Sequence, residues 1–184
     1  MSSAKAKVIA LLGVSGSGKS IVTRRLLNDH GFQRLRFTDP VRDMLHAGFG
    51  LTEDEIAGEP GKRPQDRFGN FSAMHLHRSL CEDWARMTVH SDLLVNEWER
   101  RLAPLDGFVL VDDLQRPNEA AAVRRAGGIV IHVDRPGWAP KGGSRKGVSA
   151  TVHIPHDLQL VNRGTDALAS ETDRLALQLR QVAA

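Results

Sequence analysis

The sequence predicts an α/β protein, with a parallel sheet of about five strands carrying helices on both faces, three layers in all. Three observations lead there. The apolar runs "VIALLGV" (8–14), "FVLVDD" (108–113) and "GIVIHVD" (128–134) do not alternate with polar residues, so each is expected to be buried on both faces. Segments of helical periodicity fill the gaps, the order that βαβ crossovers require. The first apolar run breaks into the glycine-rich turn "GVSGSGKS" just before a basic, leucine-bearing segment.

The elements follow in order. The leading "MSSAKAK" runs into an apolar stretch that is short, ends in glycine and lacks a cleavage site, so it reads as a first strand and not as a signal peptide. A helix over 20–30 opens straight from the glycine turn. "FQRLRFTD" (32–39) alternates better, which suggests a strand nearer the sheet edge. A helix over 40–48 follows, with Asp39 at its N-cap and Pro40 at the first helical position, where a missing N–H costs nothing. Over 72–89, Met74, Leu76, Leu80, Trp84 and Met87 recur at roughly helical spacing. Trp84 therefore reads as core ahead of a base-stacking platform. Shorter helices are expected over 92–102 and 117–126, the second stopping at Gly127-Gly128. "DLQLVN" (157–162) reads as the last strand, and a helix over 165–182 closes the chain with Leu168, Leu175 and Leu179. Segments 58–70 and 135–150 are rich in Gly, Pro and basic residues and read as long mobile loops, a type usually functional or disordered. With no internal boundary visible, one domain over 1–184 is expected.

Composition narrows the function. The 184 residues are 41% hydrophobic and 26% charged, ordinary for a soluble globular chain. No apolar run approaches the roughly 20 residues that span a bilayer, so a cytoplasmic protein without a membrane partner, monomeric or homodimeric, is expected. The single cysteine, Cys81, excludes an internal disulfide framework and a Cys-rich zinc site, and the eight histidines are scattered. The formal charge of +3 conceals basic clusters in "RRLLNDHGFQRLR", "RPGWAPKGGSRKG" and "ERR", which suit polyphosphate or nucleic acid. A dedicated DNA-binding module is not indicated, because neither a helix-turn-helix nor a Cys/His finger pattern is visible.

"GVSGSGKS" fits G-x-x-x-x-G-K-[ST] from Gly13 to Ser20 in the required strand–loop–helix setting. Its glycines permit the backbone to turn successive N–H groups toward phosphate oxygens, and the helix N-terminus adds partial positive charge. The nucleotide site is accordingly assigned to Gly13, Ser15, Gly16, Ser17, Gly18, Lys19, Ser20 and Ile21. Lys19 reaches the β- and γ-phosphates, and the Ser20 hydroxyl suits Mg²⁺. Asp112 and Asp113 end a buried strand where a carboxylate near that metal belongs; the strand pleat decides which of them faces it. Asp39 ends the second strand as an acceptor-orienting general base, a helix cap, or both, with Arg42 one turn on.

Four further segments resemble a known family. "HGFQRLRFTDPVRDML" is similar to its G-F-x-x-x-x-F-A-D-P-L-K-x-M stretch, and "LCEDWARMTVHSDLLV" to its L-G-T-E-W-G-R…H-P-D-x-W-V helix. "VDDLQRPNEAAAVRRAGGIVIHVDRP" resembles D-V-R-F-x-N-E…G-G-x-v-i-x-V-x-R-P, and "LVNRGTDAL" the late N-x-G-T-x-x-x-L element. The family is the bacteriophage deoxynucleoside monophosphate kinases, within the P-loop nucleoside monophosphate kinase group that includes thymidylate kinase and dephospho-coenzyme A kinase. The resemblance implies a three-layer P-loop nucleotide kinase fold and a Mg²⁺-dependent transfer of the ATP γ-phosphoryl group to a deoxynucleotide. It implies that Asn162 and Gly164 flank the base of ATP. It places Asp39, Arg42, Trp84, Arg86, Asp113 and Arg116 on the acceptor side, with Lys19, Asp39, Arg86 and Arg145 catalytic. The loop from 135 would be a lid bearing Arg135, Lys141, Arg145 and Lys146.

The departures bear on the acceptor. Gln115 and Met74 stand where the family carries arginines, and the lid's H-x-S-E survives as "GVSA", retaining Ser149. Neither Gln nor Met replaces a bidentate phosphate clamp, although Arg116, Arg78 or Arg67 are available to substitute. The first expectation is a free deoxynucleoside monophosphate as acceptor. The alternative is the hydroxyl of a hydroxymethylated pyrimidine, such as 5-hydroxymethyluracil, within phage DNA; a hydroxyl needs a base such as Asp39. The third is a nucleotide-gated NTPase module with no acceptor.

Overall fold

The computed structural model describes residues 6–138 and 154–181, and the chain divides into two compact units, Met1–Arg36 with Arg101–Ala184, and Phe37–Arg100. The first unit holds the sheet. Its strands are β1 (Lys7–Leu12), β2 (Gln33–Arg34), β5 (Phe108–Val111), β6 (Ile129–Asp134) and β7 (Leu158–Val161), in the order β2-β5-β1-β6-β7. Every pairing is parallel, with Ile9 opposite Leu110 on one side and Ile129 on the other, and Ile131 opposite Leu158. β1 therefore lies at the centre and delivers the glycine turn to the middle of the sheet.

Burial explains the missing alternation. Val8 through Leu12 are all buried. Ile9 and Leu11 join Leu110, Ile131 and Val133 in a cluster closed by Val22 and Leu26 of α1 (Lys19–His30) and by Leu168, Leu175 and Ala176 of the last helix, α7 (Thr165–Gln181). α6 (Pro117–Arg125) packs against β1 and β6. A strand covered on both faces has no polar side to show. α1 and α7 are also clasped by charge: Arg25 donates to Asp173 at 2.7 and 2.8 Å, and His30 Nε2 meets the same carboxylate at 2.8 Å.

The predicted strand 32–39 is real but far shorter. Only Gln33 and Arg34 pair, at the sheet edge. Arg34 and Arg36, two residues apart and so on one face, instead turn to Asp112 at the end of β5.

The second unit opens with α2 (Asp39–Phe49). Its cap position is Thr38, so Asp39 is the first helical residue and not the N-cap that the sequence suggested. α3 (Glu53–Ala57) was not foreseen. It begins in a reciprocal cap: Thr52 Oγ1 accepts from the Glu55 amide at 3.3 Å, and the Glu55 carboxylate accepts from the Thr52 amide at 2.9 Å. Nor is 58–70 a shapeless loop. It contains two 3₁₀ turns, Pro60–Lys62 and Asp66–Phe68, and β3 (Pro64–Gln65) pairs antiparallel with β4 (Phe71–Ser72). Val41, Leu45, Leu51, Ile56, Ala73 and Leu94 form this unit's core, with Phe37 and Trp98 fully buried at 4.8 Å ring separation.

One long helix was expected over 72–89. α4 (Ala73–Ser79) instead runs on as a π-helix over Leu80–Val89, and α5 (Leu93–Leu102) follows. Bonding each N–H to the carbonyl five residues back shifts the phase of the apolar stripe. Cys81 and Ala85 are consequently the buried pair, while Trp84 is 40% and Met87 79% exposed, so Trp84 is not core.

Candidate active site

Between β1 and α1 the glycine turn has the backbone its sequence requires. Gly18 sits at φ 114°, and a β-carbon there would meet Asn162 Nδ2 at 2.6 Å and Leu168 Cδ2 at 2.8 Å. Only glycine fits both the dihedral and the space. Asn162, just past β7, braces the turn by donating from Nδ2 to the Ser17 carbonyl at 2.9 Å, and its Oδ1 accepts from the Gly164 amide at 3.1 Å.

Two cavities meet at the start of α1. The first, about 620 Å³, is lined by Ser15, Gly16, Gly18, Lys19, Ser20 and Ile21 of the turn and helix, by Arg135 and Pro136 after β6, and by 162–165 after β7. The second, about 430 Å³, shares Lys19 and Ser20 with the first and adds α1 side chains, Arg34 and Asp112. Both lie in the size range of small-molecule sites, about 300–1,000 Å³. Ile21, Asn162 and Gly164 line the first cavity. Gly13 and Ser17 do not line either cavity. Ser17 is 1% exposed, its amide donates to Val14, and its hydroxyl has no hydrogen-bond partner among the described residues.

Lys19 is folded back onto the turn. Its ammonium donates to the Gly13 carbonyl and to the Val14 carbonyl, the latter at 3.0 Å. Burial lowers its pKa from the ordinary value of 10.5, opposed by the nearby Asp112 carboxylate. Asp112 also receives Arg36 Nε at 3.3 Å and Arg34 Nη1 at 3.7 Å. Asp112 thus lies beside Lys19 and Ser20. The donor chemistry there suits Mg²⁺: a hydroxyl and a carboxylate oxygen on one cavity wall. Among the described residues no group of three or more His, Cys, Asp or Glu side chains is placed to hold a metal.

Trp138 was not anticipated as part of this site. Its indole N–H donates to the Ser15 carbonyl at 3.0 Å, and the Arg135 guanidinium lies 4.6 Å from its ring centroid while donating to the Gly16 carbonyl at 3.4 Å. A tryptophan inside a Gly/Pro/basic segment, outside any apolar periodicity, was the available signal. Lys141, Arg145, Lys146 and Ser149 lie outside the described residues, so the catalytic assignment of Arg145 has no structural description.

The remaining assigned residues belong to the second unit, apart from Asp113 and Arg116. Arg42 pairs with Glu53 at 2.9 Å, and Arg86 donates to Glu82 at 2.8 Å and to the Cys81 carbonyl at 3.2 Å. Asp39 is half-buried at the start of α2, and Trp84 is exposed on the π-helix. Arg116 caps α6, where its amide and that of Gln115 donate to the buried Glu119 carboxylate at 3.0 and 2.9 Å.

No family model matches the sequence. A protein of Acanthamoeba polyphaga mimivirus, named as a candidate deoxynucleotide monophosphate kinase, is 27% identical over 172 residues, covering 86% of this chain and 89% of the relative. Among solved structures, an APS kinase of Mycobacterium tuberculosis is 24% identical across 94% of this chain and 97% of its own, at a TM-score of 0.43. The Thermus thermophilus protein TT1252 is 19% identical across 95% of this chain and 97% of its own, at a TM-score of 0.52. The chain has a three-layer α/β fold, a parallel five-stranded sheet with helices on both faces, like that of TT1252. In open parallel sheets the ligand crevice lies outside the carboxyl ends of the strands, and both cavities open there. Among the described residues no helix is long and apolar enough to cross a membrane.

Proposed function

We propose that the protein is an ATP-dependent phosphotransferase that passes the γ-phosphoryl group to a free deoxynucleoside monophosphate, giving the diphosphate and ADP. The observation that carries this reading is the pair of cavities joined at Lys19 and Ser20, one for a donor and one opening beside Asp112. The mimivirus relative supports the same substrate class. The turn's main-chain amides and Lys19 would hold the phosphate chain, with Ser20 and Asp112 holding Mg²⁺, which supplies charge neutralisation when bound. An acceptor phosphate oxygen bonds to the γ-phosphorus as its bond to the β–γ bridging oxygen breaks, leaving ADP. Catalysis of such a loose transition state is mainly positioning and charge stabilisation, tasks that suit cations and fixed amides. Asp39 and Arg42 are assigned to the acceptor by their place after the second strand and by the resemblance, Arg86 by the resemblance alone.

A second reading rests on Gln115 and Met74, which leave two phosphate-clamping arginines missing. It takes the hydroxyl of a hydroxymethylated pyrimidine in DNA as acceptor and Asp39 as base. The test is ADP release from Mg·ATP with each deoxynucleoside monophosphate, with plain DNA, and with DNA containing 5-hydroxymethyluracil. Acceleration by one monophosphate supports the first reading, and acceleration by modified DNA alone replaces it with the second. Release indifferent to every acceptor leaves an NTPase. Asp39→Asn should damage a hydroxyl acceptor far more than a phosphate one.

A further inference from the structure

The basic run "RRLLNDHGFQRLR" is only partly explained by the fold. Arg25 clasps Asp173, and Arg36 is buried against Asp112. Arg24 has no such structural task, and Arg34 makes only a longer contact to Asp112. Ser20, Thr23, Arg24, Leu27 and Asn28 recur at helical spacing along one side of α1, and together they form a wall of the 430 Å³ cavity. Arg34, on the two-residue edge strand, lines it too. Three cationic side chains, Lys19, Arg24 and Arg34, thus border the cavity against one carboxylate, Asp112, which is already engaged by Arg36. Arg24 makes no hydrogen bond or ion pair among the described residues, and the Arg34 contact to Asp112 is long, at 3.7 Å, and 39% exposed on the arginine side. Two guanidinium groups are therefore available to an anion that enters beside the donor cavity.

We infer that Arg24 and Arg34 bind the phosphate of the acceptor and take the place of the arginines missing at Gln115 and Met74. This rests on the phosphotransferase reading. A planar guanidinium fork binds a phosphate through two parallel N–H donors, which a lysine or glutamine does not reproduce. An acceptor phosphate in this cavity lies next to Lys19 and Ser20, the residues shared with the donor cavity, so the two reacting groups meet there. The clamp predicts a preference for acceptors that carry phosphate, whether as a free monophosphate or as the phosphodiester of a strand.

The experiment titrates inorganic phosphate into the full chain saturated with Mg·ADP, comparing wild type with Arg24→Gln, Arg34→Gln and the double variant. Phosphate affinity should fall at least about tenfold in each single variant, while Mg·ADP affinity stays unchanged. Arg24→Lys should recover only part of the loss. In steady state, the KM for a deoxynucleoside monophosphate should rise without a matching rise in the KM for ATP; a KM effect confined to DNA would assign the site to a strand phosphate. Unchanged phosphate affinity in Arg24→Gln, in a protein that still binds Mg·ADP, overturns the clamp and leaves the phosphotransferase reading standing. Failure of wild type to bind Mg·ADP overturns both. Should Arg34→Gln lose its fold along with the Asp112 contact, Arg24→Gln decides alone, since its side chain is exposed on α1.

Discussion

The indole of Trp138 fills the space where a side chain on residue 16 would stand: a β-carbon on Gly16 would lie 2.6 Å from Trp138 Nε1. The turn at Gly16, with φ 82°, and the segment after β6 are thereby fitted to each other. Gly16→Ala should expel the ring, shift tryptophan emission to the red and weaken nucleotide binding by at least about tenfold. Emission spectra with and without Mg·ATP check this. Trp138→Phe provides the control, because Trp98 is fully buried and Trp84 is not part of this contact.

Lys19 is half-buried, and desolvation lowers its pKa, so carrying the charge there opposes folding and does not stabilise it. Lys19→Ala should keep the thermal midpoint within a few degrees of wild type and reduce turnover by about 10²–10³-fold or more. A melting curve beside a coupled ADP assay separates the two effects.

Asp112→Asn should act on stability as well as on activity. Arg36 is 7% exposed and would lose a charged partner at 3.3 Å. The expected loss is about 1–3 kcal/mol, read from urea unfolding without nucleotide. Loss of activity at unchanged stability would place Asp112 on the metal alone.

The α1–α7 clasp gives an acid limb. Hydrogen bonds from Arg25 and His30 hold the Asp173 carboxyl well below its ordinary value of 3.8. Its folded value lies beneath its unfolded one, so its contribution is complete above the ordinary carboxylate range and is lost as pH falls through the folded value. Asp173→Asn should melt lower than wild type at neutral pH, and the two curves should converge below about pH 4. Parallel curves across that range would deny the clasp its charge.

The sheet was legible because burial on both faces writes itself as unbroken apolar runs, and the glycine turn because its dihedrals admit few residues. β5, β6 and β7 lie within the runs assigned to them, each shorter by a residue or more, while β1 starts one residue before its run and stops two short of its end. What failed did so for identifiable physical reasons. Trp84 and Met87 were assigned an α-helical phase that the π-winding of Leu80–Val89 does not keep. α3 carried its own signal in Thr52 and Glu55, a reciprocal cap passed over because the segment behind it is so short. That Arg36 and Lys19 converge on Asp112 was not legible, because only the fold brings them to the end of β5. Arg24 and Arg34 lie ten positions apart in the chain, and only the fold brings them to one cavity.

The resting posture of Lys19 sets a threshold for its visitors. While its ammonium is tethered to Gly13 and Val14, any newcomer must offer oxygens good enough to break that tether. A nucleoside or a lone monophosphate presents too few along the turn, whereas a long phosphate chain presents several at once. Discrimination by chain length thus follows from the Lys19 tether, before any base is read.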